Sequence, residues 1–173
     1  MLFVLALLLL VRGWRRVVVT VTAFTVAHSI TLAAATLGFV HVPQPPVEAA
    51  IALSIVFVAA EIIHKRQGRS GLAVHWPWII AFAFGLLHGF GFASALREVG
   101  LPQNAIPVAL LFFNVGVEVG QLLFIASVFA VAILARQVAS RITISKLAWA
   151  WRLPPYAIGS VAAFWVIQRI AAF

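Results

Sequence analysis

Long apolar runs that carry almost no charge constrain the fold of this chain more than any other feature. In the run Trp76–Leu96, His88 is the one residue with a titratable side chain. A helix of about 20 apolar residues crosses the hydrocarbon core of a bilayer. The run therefore predicts a membrane-spanning helix with a polar side chain near its centre.

The composition extends this interpretation to the whole chain. The 173 residues are 64% hydrophobic and 9% charged, whereas soluble domains are about 45–50% apolar and 25% charged. We therefore predict an all-α fold, a polytopic transmembrane helical bundle that forms a single domain over residues 1–173. The sequence has no cysteine, which excludes disulfides and thiolate metal sites.

About six spans are predicted, the first of them short. The segment His41–Pro46, HVPQPP, is predicted to be a loop because proline cannot continue a helix, and Glu48 then falls in the first turn of the next span. The fifth run is long for one straight crossing, which predicts a kink, a tilt or a projection into the cytoplasm. The spans are Met1–Val11, Val17–Val40, Val47–Ile63, Trp76–Leu96, Pro107–Ala135 and Pro154–Ile167.

The basic residues orient the bundle. Most of them lie in the loops Arg12–Arg16, His64–Gly71 and Arg136–Arg152, while the opposite side holds only Arg97 and Arg169. Cytoplasmic loops carry the excess of Lys and Arg, so these three loops are predicted to be cytoplasmic and both termini to lie on the other side. This distribution also explains the net charge of +8 without nucleic acid as a partner.

Polar residues inside the spans form the candidate site. At about 1.5 Å per residue, His28, His88 and Glu118 each lie roughly 16–18 Å along their helices from a span end, close to half the hydrocarbon core of about 30 Å. Asn114, Glu118 and Gln121 share one helix face through i, i+4, i+7 spacing. A carboxylate at that depth needs a proton, a cation or a histidinium partner. We therefore predict one metal site, with the ligands His28, His88, Asn114 and Glu118.

Four further polar residues are accessory candidates for this site. Thr25, Thr31 and Gln121 lie at similar depth, although helical threonines more often bond to their own backbone. Glu61 lies about one turn from Lys65, near the cytoplasmic surface. It is predicted to stay outside the midplane cluster as a gate, a loop contact or an i,i+4 partner of Lys65.

Two glycine pairs predict close helix packing. Gly85 and Gly89 form one GxxxG pattern, and Gly116 and Gly120 form another. Small residues let two helix backbones approach closely. We expect these glycines to bring the fourth and fifth spans together, and His88 within reach of Glu118.

Four blocks of the sequence resemble the HupE/UreJ group of membrane proteins, in its second branch, and the resemblance continues to about Ile133. Members of that family usually carry an HxxxGxDH motif before a first apolar run like the one here, and this sequence has nothing at that place. If that motif supplies ligands, the site in this chain is expected to be incomplete. The blocks are TAFTVAHSITL (Thr22–Leu32), VEAAIALSIVFVAAE (Val47–Glu61), FAFGLLHGFGFASAL (Phe82–Leu96) and FFNVGVEVGQL (Phe112–Leu122).

The resemblance implies an accessory permease for nickel or cobalt, not an enzyme, with the metal ion as its substrate. Imidazole and oxygen ligands suit Ni²⁺, Co²⁺ or Zn²⁺, and the lack of cysteine and the single methionine argue against Cu⁺. The expected partners are the lipid bilayer, the ion and a membrane or oligomeric partner. The expected location is the bacterial inner membrane.

Two other functions remain open from the residues alone. The chain is alternatively a structural or accessory membrane subunit of a larger complex, in which the polar residues form interhelical hydrogen bonds. An intramembrane hydrolase is disfavoured, because Ser94 lies six residues from His88, on a different helix face, and no G-x-S-x-G context is present.

The charge distribution makes a prediction about topology. Because the chain has no native cysteine, single cysteines introduced at Arg69 and Gln44 can be labelled selectively with a membrane-impermeant reagent. We expect the two positions to label from opposite sides of the membrane, Arg69 from the cytoplasm. Labelling of both from one side would contradict the predicted orientation.

Overall fold

The described residues of the computed structural model form seven helices. The description covers residues 1–69, 71–98, 102, 105–139 and 152–172. The helices are α1 (Leu2–Leu10), α2 (Trp14–Thr36), α3 (Gln44–Arg66), the short α4 (Leu72–His75), α5 (Pro77–Glu98), α6 (Ile106–Ala139) and α7 (Leu153–Ile170). This confirms the predicted helical bundle, in which α1, α2, α3, α5, α6 and α7 correspond to the six predicted spans.

The helices differ in whether they are long enough to cross a membrane. Within the described ranges, α2, α3 and the Ile106–Ala135 part of α6 are long and apolar enough to cross a membrane, while Pro77–Ala93 is a shorter apolar stretch. Helix α1 has 9 residues, about 14 Å at 1.5 Å per residue, and so covers about half of a hydrocarbon core.

The prolines before α3 are placed differently from the prediction. The segment HVPQPP was predicted to be a loop, but α3 begins at Gln44, and Pro45 and Pro46 lie in its first turn. Proline is tolerated there because the first N–H groups of a helix have no intrahelical partner. Glu48 consequently lies more than one turn into α3, outside the first turn.

Close packing of α5 against α2 is the strongest helix contact near the site. A Cβ added at Gly85 would clash with the carbonyl oxygen of Phe24, and one added at Gly89 would clash with the carbonyl oxygen of His28. The two helix backbones approach this closely because neither glycine has a side chain. The GxxxG pattern of α5 is therefore used for packing, as predicted.

The partner of these glycines differs from the prediction, which paired the fourth span with the fifth. Gly85 and Gly89 of α5 meet α2, whereas a Cβ at Gly116 or Gly120 of α6 would have nothing within 4 Å. Helix α6 packs against α2 and α1, and most of its outer residues are exposed. Glycine spacing indicates which face packs closely but does not identify the neighbouring helix.

Two polar contacts join helix ends that the sequence predicts to lie on the same side of the membrane. The Lys65 amine, at the end of α3, donates to the carbonyl oxygen of Leu10 at the end of α1 (2.5 Å). At the other end of α3, Glu48 Oε2 lies 3.0 Å from an Arg169 guanidinium nitrogen near the end of α7. Each contact pairs ends that the charge distribution puts on the same side of the membrane.

Helix α6 is continuous over its 34 residues. At about 1.5 Å per residue it is roughly 50 Å long, well beyond a hydrocarbon core of about 30 Å. The predicted loop Arg136–Arg152 overlaps the end of this helix, and its residues 140–151 lie outside the described residues.

The packing difference between the two glycine pairs is testable. Gly89→Ala is expected to destabilise the protein by about 1–3 kcal/mol, the usual range for overpacking, because the methyl group meets a backbone carbonyl of α2. The matched control Gly120→Ala places its methyl group in open space. It should keep or raise the thermal midpoint, because Ala favours a helix over Gly by up to about 1 kcal/mol. Thermal unfolding in detergent measures both, and an equal loss in the two variants would contradict this assignment.

Candidate metal centre

A half-open cavity of about 640 Å³ lies among the helices, and exposed residues of α6 such as Phe112 form part of its rim. Residues of α1, α2, α3, α5, α6 and α7 line this central cavity, and nearly all of them are apolar or aromatic. The polar side chains in the lining are those of His28, His88 and Gln121. The central cavity is thus an apolar chamber with few groups that can bind an ion.

His28 of α2 is the most unusual residue of the central cavity. Its side chain is 2% exposed, and neither ring nitrogen has a hydrogen-bond partner among the described residues. The ring stacks on Phe24 (centroids 6.0 Å apart) and meets Phe92 edge-on (5.5 Å). Buried polar groups are normally hydrogen-bonded, and an exception calls for an explanation such as a ligand.

His88 of α5 is oriented by its own helix. Its Nδ1 lies 2.7 Å from the carbonyl oxygen of Phe84. Since a carbonyl can only accept, Nδ1 carries the ring proton and Nε2 keeps a free lone pair. Metal-binding histidines typically donate their other N–H in this way to a carbonyl or carboxylate. The ring is therefore in the tautomer in which Nε2 can bind a metal ion.

The two histidines reach the same cavity because of the local sequence around them. His88 lies between Gly85 and Gly89, and the His28 backbone fills the space where a Gly89 side chain would lie. Phe24 then contacts both imidazoles, with its ring centroid 6.0 Å from His28 and 5.0 Å from His88. The close α2–α5 contact thus places one histidine from each helix in the lining of one cavity.

The polar stripe of α6, formed by Asn114, Glu118 and Gln121, makes three different sets of contacts. Thr22 of α2 donates to Glu118 Oε1 (2.9 Å), and Thr25 of α2 donates to Gln121 Oε1 (3.2 Å). Asn114 donates to the carbonyl of Leu110 (2.8 Å). Its own Oδ1 is buried without a partner. The stripe therefore contributes two interhelical hydrogen bonds and one free acceptor.

The structure does not bring the four predicted ligands together. Within the described part of the chain, no three His, Asp or Glu side chains are close enough to hold one ion. Neither Glu118 nor Asn114 lines the central cavity. Glu118 faces Thr22 of α2, so its carboxylate lies at the α2–α6 contact, while α6 meets α5 nearer its start, where Phe113 lies beside Phe92. Of the predicted residues, His28, His88 and Gln121 share the cavity.

The threonines behave as helix residues usually do. The Thr25 hydroxyl lies 3.2 Å from both the Val21 carbonyl oxygen and Gln121 Oε1, so its single hydrogen is shared between two acceptors. The Thr31 hydroxyl likewise donates to carbonyls of its own helix. These hydrogen bonds confirm the prediction that the helical threonines bond to their own backbone.

Glu61 lies apart from the central cavity, as predicted, and makes a loop contact. Its carboxylate accepts from the Ala73 N–H of α4 (3.1 Å) and lies 3.8 Å from His64 Nδ1. It makes no i,i+4 pair with Lys65, which instead donates to the Leu10 carbonyl.

Aromatic rings surround the two histidines, a feature that was not predicted from the sequence. Phe3 of α1 lies 5.0 Å from His88 and 5.2 Å from Phe24, measured between ring centroids. One signal was present in the sequence, since Phe24 and His28 are four residues apart and so share a helix face. The contribution of Phe3 depends on the packing of α1 and has no local signal.

Comparison with known proteins identifies the family. The family model described as HupE / UreJ protein matches residues 1–169, nearly the whole chain, so the chain belongs to this family. No curated protein matches, and no solved structure matches.

The contact of Glu61 predicts a structural role. Glu61→Ala leaves the buried Ala73 N–H without its acceptor, which is expected to cost about 1–3 kcal/mol of stability. Glu61→Gln keeps an acceptor oxygen and should cost less. Neither should change metal affinity more than a few-fold. A loss of affinity as deep as that of His88→Ala would contradict this assignment.

Proposed function

We propose that this member of the HupE/UreJ family is a permease for a divalent transition metal ion, of the nickel or cobalt class, in a bacterial inner membrane. The observation that carries the proposal is His28, whose two buried ring nitrogens have no partner among the described residues, in a cavity that His88 also lines. An unpaired buried polar group costs about 1–3 kcal/mol, and a bound metal ion would remove that cost at one nitrogen.

The chemistry of the lining favours such an ion. Imidazole nitrogen suits Ni²⁺, Co²⁺ and Zn²⁺, and the amide oxygen of Gln121 has a second lone pair beyond the one that accepts from Thr25. Hard ions such as Mg²⁺ and Ca²⁺ prefer all-oxygen shells, which this cavity does not offer in its described lining.

The small number of ligands suits transport better than storage. Two imidazoles and one amide oxygen leave coordination positions for water, so the ion keeps part of its hydration shell. Conduction requires binding that is strong enough for the ion to enter but weak enough for it to leave.

A second function is supported by the contacts of α6. The Thr22–Glu118 and Thr25–Gln121 hydrogen bonds are interhelical contacts of the kind that hold transmembrane bundles together. On this hypothesis the chain is a structural or accessory subunit of a larger membrane complex, and the polar residues stabilise the bundle only.

Metal analysis separates the two functions. Protein purified without a His tag is loaded with Ni²⁺ or Co²⁺, and bound metal and uptake into proteoliposomes are measured. His28→Ala and His88→Ala should each lower metal affinity by at least about 10-fold, since even the loss of residues that only support metal ligands costs 10–100-fold. Uptake should fall in parallel while the bundle stays folded.

Glu118→Gln is the matched control, because the amide oxygen can still accept from Thr22. It should keep both bound metal and uptake within a few-fold. The structural alternative predicts that none of the three variants changes metal content, and that His88→Ala costs about 1 kcal/mol of stability or less. Unchanged metal binding in both histidine variants would refute the permease site.

A further inference from the structure

We propose that the ion reaches the central cavity through a second chamber on the non-cytoplasmic side, where Glu48 is the first group to attract it and Arg169 competes for the same carboxylate. The inference rests on the proposed permease function and identifies its route of access. The second chamber, here called the outer chamber, has a volume of about 280 Å³, and its polar lining comes from Glu48, Gln168 and Arg169.

The outer chamber and the central cavity share a wall. Ile51, Ile55 and Trp165 line both. These three apolar side chains therefore form the partition between the charged group at the surface and the histidines in the middle of the bundle. On this proposal, an ion passes between the two spaces when these side chains move apart.

Helix geometry arranges these residues along one line. Glu48, Ile51 and Ile55 of α3 follow i, i+3, i+7 spacing and share a helix face. On α7, Trp165 and Arg169 are four residues apart and also share a face. From Glu48 to Ile55 the rise is about 10 Å, so the line leads from the outer end of α3 toward the depth of the histidines.

Arg169 competes with an incoming metal ion for the Glu48 carboxylate, and the ion can displace it. Glu48 Oε2 and the Arg169 nitrogen are 3.0 Å apart, but their side chains are 36% and 49% exposed, respectively. Exposed ion pairs contribute little to stability, so the pair opens readily. A divalent ion attracts the carboxylate with twice the charge of the guanidinium. The pair therefore favours divalent over monovalent cations at the outer chamber.

The contrasting hypothesis is that the Glu48–Arg169 ion pair only stabilises the packing of α3 against α7. Both hypotheses predict some loss of stability when the pair is broken, so stability cannot distinguish them. If ions enter through the outer chamber, the charge at position 48 controls how fast cations reach the central cavity. If the ion pair only holds α3 against α7, that charge does not affect the rate.

The absence of native cysteine allows this to be measured without metal. Val4 lines the central cavity and is only 4% exposed, so Val4→Cys provides a reporter thiol inside the cavity. A small, membrane-impermeant cationic thiol reagent is added to the non-cytoplasmic face of the full-length protein in oriented membranes. The rate of modification is then compared in variants of the outer chamber.

The route predicts a definite order of rates. Charged clefts change the association rates of ions by about 10-fold to 1,000-fold, so Glu48→Lys should slow the cationic reagent at least about 10-fold and Arg169→Gln should accelerate it. An uncharged reagent of similar size should be unaffected by either change. Trp165→Ala should accelerate both reagents, because it opens the partition.

His41→Lys is the matched control, since it adds a positive charge at the exposed residue His41, at the same end of the bundle but outside the lining of the outer chamber. It should leave the rate within about twofold. The proposal is overturned if the reporter thiol reacts only from the cytoplasmic face, or if Glu48→Lys slows the reagent no more than His41→Lys does. Either result leaves the histidine site untouched, because metal binding is measured separately.

Discussion

The contact between the backbones of α2 and α5 is the interaction on which the rest of the site depends. At Gly85 and Gly89 the carbonyl groups of Phe24 and His28 occupy the space that side chains would fill. Without a hydrophobic driving force between helices in lipid, such close approach is a main source of association. It also decides the chemistry, because it puts His28 and His88 in the walls of one cavity.

The sequence was sufficient for the architecture and for part of the site. Apolar runs, basic loops and glycine spacing are local signals, and they identified the helices and the α5 packing face. The helix rise predicted His28 and His88 at a common depth, and both line the central cavity. The separation of Glu61 from that cavity also followed from the sequence, since Glu61 lies close to Lys65 at the end of α3.

The failures concern which helix lies beside which, a property that no local pattern specifies. Glu118 has the predicted register on α6, but α6 packs against α2, so its carboxylate accepts from Thr22 and does not line the histidine cavity. Likewise, Pro45 and Pro46 predicted a loop, but both lie in the first turn of α3. Proline fits there because the N–H groups of the first turn have no intrahelical partners.

The tight glycine contact also decides which parts of the bundle can move. Two helices in backbone contact cannot slide or rotate past each other without a clash, so α2 and α5 behave as one rigid body that carries both imidazoles. Between α3 and α7, by contrast, a Cβ on Gly159 would meet Ala59 only at an ordinary 3.5 Å. Transporters commonly alternate access by rocking one group of helices around a fixed site. For the proposed permease, the α2–α5 pair would be the fixed element that carries both histidines, and any rocking would have to occur at the contacts of other helices with it.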